Sequence, residues 1–130
     1  MPKISKDGLM KKLDKLVKEI VFERDGHCVA CPLWREIKPE HQGSDIMQPG
    51  HYITRGAKSV RWDLRNVYQQ CRTCNYLHEM RPSVLAEYVI SVLDVAGHED
   101  LVRDGNKPMP SIHKWQLEEI YKDLMKKRST

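Results

Sequence analysis

Two cysteine pairs of identical spacing, Cys28-Val-Ala-Cys31 and Cys71-Arg-Thr-Cys74, constrain this chain more than any other feature. Each CxxC places two thiolates on one tight turn, and two such turns can close a tetrahedral four-sulfur zinc site with no position left open for a substrate. Such an ion holds structure and does no chemistry. The competing readings are two disulfides or four buried thiols. The N-terminus argues against an oxidising compartment, because Met1-Pro2-Lys3-Ile4-Ser5-Lys6-Asp7 leads straight into a charged amphipathic segment with no signal-like stretch.

A chain of 130 residues is one domain's worth, so a single domain over 1–130 is expected. Within it we read an N-terminal helix over 5–25, a zinc-stapled core over 26–81 and C-terminal helices over 82–130. No apolar run approaches the length of a membrane span, and no repeat appears beyond the duplicated CxxC. A soluble cytoplasmic protein follows.

The net charge of +4 is not evenly spread. From His51 to Arg81 the basic residues Arg55, Lys58, Arg61, Arg65, Arg72 and Arg81 outnumber Asp63 and Glu79 by four, so the remainder of the chain balances. An arginine-rich patch suits a phosphate backbone, because the planar guanidinium fork matches phosphate oxygens. Arg55, Lys58, Arg61, Arg65 and Arg72 are the candidate DNA contacts.

Helical periodicity frames this centre. Leu9, Leu13, Leu16, Val17, Ile20 and Val21 recur on one face between Ser5 and Gly26, opposite Lys11, Lys12, Lys15 and Lys18. After Pro82, a stripe of Leu85, Tyr88, Val89, Val92, Leu93 and Ala96 ends at Gly97, which reads as a C-cap. Residues 97–110 read as a loop with at most one helical turn at Glu99–Val102. A last helix starts near Ser111 and buries Leu117, Ile120, Tyr121 and Leu124. Between the cysteine pairs, Pro32–Gln48 reads as irregular. Segments around Gly50–Thr54 and Val67–Gln70 read as two antiparallel strands, followed by a helix from Thr73 or Cys74 that Pro82 ends. The fold class is α+β, mainly helical.

Strand, loop, strand and helix carrying His51, Asn66 and Asn75 in that order resemble the HNH, or ββα-metal, family of nucleases. The likeness is to its zinc-stapled branch. Phage endonuclease VII proteins share two CxxC pairs with an asparagine directly after the last cysteine. Gly50-His51-Tyr52, Arg61-Trp62, Asn66 and Gln70-Cys71-Arg72-Thr73-Cys74-Asn75 are similar to the lambdoid-phage NinG recombination proteins. The resemblance covers about residues 24 to 95. It implies a ββα-metal motif stapled by a four-cysteine zinc site and flanked by amphipathic helices.

By the same resemblance, His51 is the general base that takes a proton from the attacking water, and Asn66 positions His51 or ties down the loop between the strands. Asn75 is a ligand of a catalytic Mg²⁺ or Mn²⁺, with His78 at i+3 or Glu79 at i+4 joining it. Many family members carry Asp or His immediately before the base, where this chain has Gly50; Asp45, Asp63, Glu79 or water are the candidates to fill that gap. His27, beside Cys28, is a reserve zinc ligand, His41 has no assigned role, and His98 and His113 read as surface residues. Trp62 reads as packing over the hairpin in preference to stacking on a base.

The implied function is a metal-dependent DNA endonuclease of phage or prophage origin, acting in the bacterial host on duplex or branched DNA in recombination or repair. The alternative is a zinc-ribbon DNA-binding module that has lost catalysis. A homodimer is compatible with either, with the terminal helices as its interface.

Overall fold

The computed structural model describes residues 4–109 and 111–129. Its elements, in order, are α1 (Lys6–Asp25), α2 (Cys31–Ile37), β1 (Met47–His51), β2 (Val67–Cys71), α3 (Arg72–Met80), α4 (Ser83–Gly105) and α5 (Lys114–Ser129). It is a mainly helical α+β arrangement built on one two-stranded sheet.

α1 forms where its sequence stripe and caps agree. The Ser5 hydroxyl accepts from the Gly8 amide, and Gly26 takes the left-handed conformation, φ 72°, that ends the helix. All six residues of the apolar stripe are buried. They pack with Trp62, Val67, Ile112, Leu117 and Leu124 into one core cluster, so α5 lies along α1. A second cluster gathers the four cysteines with Val29, Val60, Tyr68, Leu85, Val89 and Leu101.

The hairpin sits between these clusters. β1 and β2 pair antiparallel, with Gln48 opposite Gln70, Gly50 opposite Tyr68 and His51 opposite Val67. A lone two-stranded sheet is marginal in water, so its support must come from outside. The far side of β2 supplies it: the Gln69 amide donates to the Asp25 carboxylate at 2.9 Å, and the Gln69 carbonyl accepts from the Val29 amide at 3.0 Å. Arg24 reaches over the same edge, donating to the Leu64 and Val67 carbonyls.

Three elements depart from the periodicity reading. The segment expected to be irregular opens with α2, because Pro32 occupies the first turn, where a missing N–H costs nothing. β1 begins three residues early and stops at His51; beyond it the Ile53 amide is taken by the Asn66 side chain, so the ladder ends there. α4 runs past Gly97 to Gly105. The break falls instead at Asp94, φ 60° and ψ 178°, whose carboxylate accepts from the Gly97 amide at 2.8 Å and so caps the second half. Gly97 is therefore not a C-cap, and the apolar stripe loses its face there: Val92 and Ala96 are exposed. The expected loop end at Pro110 lies outside the described residues.

Candidate functional site

The four cysteines meet. Cys28 and Cys31 come from the turn leading into α2, and Cys71 and Cys74 from the junction of β2 with α3. All are buried and free of disulfides, and their sulfurs lie within 4.8 Å of one another. Cys31 Sγ is 3.7 Å from Cys71 Sγ and 3.5 Å from Cys74 Sγ. A tetrahedral ion with Zn–S bonds of about 2.3 Å needs sulfurs roughly 3.8 Å apart, so the cluster is compatible with structural zinc.

Cys71 also caps α3, its sulfur accepting from the Cys74 amide at 3.4 Å. The metal-free thiols share their protons unevenly. A hydrogen bond from Cys74, outweighing burial, holds Cys28 down to about 4, whereas burial pushes Cys31 up to about 12. Cys74 is raised because it is the donor to Cys28 and is itself buried. A dication would draw all four into thiolates.

The ring nitrogen Nε2 of His41 lies 3.4 Å from Cys74 Sγ and 3.8 Å from Cys31 Sγ, with Trp34 stacked on the ring. The histidine at the sulfurs is therefore His41, and His27 stays exposed. No spacing rule marks His41, since it reaches the cluster through the loop after α2.

A cleft of about 900 Å³ opens between α1, the end of β1 and α3. His51, Asn75, His78 and Glu79 all line it, together with Asp14, Lys15 and Lys18 from α1. His51 Nε2 lies 2.9 Å from the Arg61 carbonyl. A carbonyl only accepts, so Nε2 carries the proton and Nδ1 carries the lone pair. Burial lowers the His51 imidazole below its ordinary value, more than the bond to Arg61 raises it. His78 repeats the pattern: Nε2–H donates to the Tyr52 carbonyl at 2.9 Å, and Nδ1 is buried without a hydrogen-bond partner.

Asn75 donates through Nδ2 to Gln48 Oε1 at 2.9 Å, which leaves Oδ1 on the side of Gly50. Asn66 is fully buried, and its side chain makes its hydrogen bonds to Ile53 and Val60 and none to His51. Its amide donates to the Ile53 and Val60 carbonyls and accepts from the Ile53 amide. Of its two expected roles, the geometry is that of tying down the loop. That loop carries Arg61, so the effect on His51 is indirect.

The candidate DNA contacts are divided. Arg55 and Arg61 line the cleft, and both are ion-paired to Asp14 at 2.7 Å. Arg61 is only 14 % exposed and lies over the Trp62 ring, while Arg55 is 61 % exposed. Burial alone would raise the Asp14 carboxyl, but hydrogen bonds from Arg61, Arg55 and Trp62 hold it below the usual range. Trp62 is buried, as packing requires. Lys58 and Arg65 face a separate groove; Arg65 is bound to Asp63 and Asp104. Arg72 is exposed at the start of α3. Lys15 and Lys18 share the cleft with His51, although the local charge count around His51 does not reach them. His98, read as a surface residue, accepts or donates at 2.8 Å to the Tyr52 hydroxyl.

The family model of the Bacteriophage Lambda NinG protein matches residues 3–129. The chain belongs to that family, which places it among phage recombination-related proteins. Compared with curated proteins and with solved structures, it has no match. No helix among the described residues is long and apolar enough to cross a membrane.

Proposed function

We propose that this NinG-family protein is a metal-dependent DNA endonuclease whose hairpin and following helix form a zinc-stapled ββα-metal motif, with His51 as general base. The observation that carries the reading is the 2.9 Å approach of His51 Nε2 to the Arg61 carbonyl. The Arg61 carbonyl fixes the proton on Nε2, so Nδ1 is the basic atom, and burial keeps the ring neutral at physiological pH. A base of this kind accepts the proton of water as it attacks a phosphodiester.

The second support is the donor set that Asn75 and His78 present one turn apart on α3. A buried imidazole nitrogen without a partner is expensive to leave so, and His78 Nδ1 fits a divalent ion shared with Asn75 Oδ1. When bound, Mg²⁺ or Mn²⁺ supplies charge neutralisation at the phosphate and the leaving oxygen. Neutral ligands bind Mg²⁺ weakly without DNA phosphates, and an imidazole favours the transition metal, so Mn²⁺ is the better activator. Lys15, Lys18 and Arg55 give the cleft walls a positive rim for the strand. Asn66 holds the loop that presents the Arg61 carbonyl.

The test is nicking of supercoiled plasmid with Mg²⁺, Mn²⁺ or chelator, with His51→Ala prepared identically. Metal-dependent nicking absent from the variant supports the assignment; equal nicking by both refutes it. Gly50, which offers no ligand, favours the second reading, a zinc-stapled DNA-binding module without catalysis. Binding without cutting under every metal would select it.

A further inference from the structure

The hairpin face beneath α3 carries Gln48, Gly50 and Gln70, because the register pairs Gln48 with Gln70 and alternation puts Gly50 on the same side. Gln70 is fully buried, yet neither its Nε2 nor its Oε1 has a hydrogen-bond partner. An orphaned buried amide forfeits its hydrogen bonds to water with nothing in return, and an apolar residue of the same size would avoid that cost.

The place the amide occupies gives it a use. A Cβ built on Gly50 would collide with the Gln70 amide nitrogen and would lie 2.9 Å from Asn75 Oδ1. The side-chain space of residue 50 is thus filled from β2, and the Gln70 amide and the Asn75 oxygen converge on it. One turn along α3, His78 Nδ1 is also buried and unpartnered. Rotating the amide by half a turn exchanges nitrogen for oxygen at nearly the same positions, which costs nothing where no hydrogen bond fixes its sense.

We infer that Gln70 is a ligand of the divalent cation, its side-chain oxygen entering from β2 where residue 50 has no side chain, beside Asn75 Oδ1 and His78 Nδ1. This rests on the metal site proposed above. An amide oxygen is an ordinary ligand for Mg²⁺ or Mn²⁺, and a set of two amides and one imidazole carries no charge. Gly50 is then required by sterics, since any larger residue there displaces the ligand.

The experiment is titration of the zinc-loaded, DNA-free protein with Mn²⁺, reading free ion by its paramagnetic resonance, for the parent, Gln70→Glu, Gln70→Met and His78→Ala. Zinc content and circular dichroism establish that each variant is folded. Gln70→Glu adds a formal charge to the ligand set and should tighten Mn²⁺ at least about tenfold. Gln70→Met removes the donor but fills the same volume, so it should weaken Mn²⁺ at least about tenfold while leaving the melting temperature unchanged or higher. Parent-like Mn²⁺ affinity in Gln70→Met, with affinity lost in His78→Ala, would overturn the role of Gln70 and leave the metal site standing. Should Gln70→Glu fail to fold, Gln70→Met still decides. Absence of saturable Mn²⁺ binding by the parent would overturn both.

Discussion

Asn66→Ala should destabilise the protein by about 2–3 kcal/mol. The side chain is 0 % exposed and makes three hydrogen bonds: 2.7 Å from the Ile53 amide, 3.0 Å to the Ile53 carbonyl and 3.2 Å to the Val60 carbonyl. Val60 is fully buried, and its carbonyl keeps the Asp63 amide at 3.2 Å while losing its second donor, at a cost of about 1 kcal/mol. Ile53 is half-buried and water can reach it, so its two groups contribute roughly 0.5–1 kcal/mol each. The assay is urea unfolding of the zinc-loaded protein followed by circular dichroism. Asn66→Asp is the informative companion: it retains the acceptor for the Ile53 amide but turns a negative oxygen toward two carbonyls, and should be at least as damaging. A loss below about 0.5 kcal/mol for Asn66→Ala would refute the claim that this amide replaces the strand ladder beyond His51.

Other outcomes follow from the same geometry. The protein should purify with one zinc per chain and lose its fold cooperatively when a strong chelator removes the ion; less than about half an equivalent would contradict the Cys28–Cys31–Cys71–Cys74 site. The acid limb of kcat/KM should fall below pH 6.5, because burial lowers the His51 imidazole and its neutral form persists into mild acid; a limb above pH 7 would contradict His51 as the base. By linkage, the folded state binds fewer protons at His51 than the unfolded state, so this group's contribution to stability is complete above pH 6.5 and is lost as the pH falls. Lys15→Ala with Lys18→Ala should weaken DNA binding and lower the slope of log K against log salt by about 1–2, with Arg65→Ala leaving the slope unchanged; the reverse pattern would move the DNA away from the cleft.

What could be read from the sequence was what repeats or is spaced by short-range rules. The stripe of α1, its bounds at Ser5 and Gly26 and the paired CxxC turns all obey local rules, and the structure has each of them. Asp94 was hidden because Val95 and Ala96 continue an apolar run past it, so the break looked as if it belonged to Gly97. Asp14 was hidden for another reason: it sits among lysines on a solvated helix face, and its partners Arg55, Arg61 and Trp62 lie 41 to 48 residues away. His41 and Gln70 likewise act through approaches set by tertiary packing. The charge excess around His51 was legible as a sum, but its division between the cleft, the Arg65 pins and the start of α3 was not.

The most direct test of His51 as the base of a nuclease is single-turnover cleavage of an end-labelled four-way junction and its matched duplex in Mn²⁺, with binding measured on the same samples for the parent and His51→Ala. The variant should bind both DNAs as the parent does and cut neither, while the parent cuts at least one of them. Cutting at the same rate by the two proteins, or none by the parent in any divalent metal, would contradict the assignment.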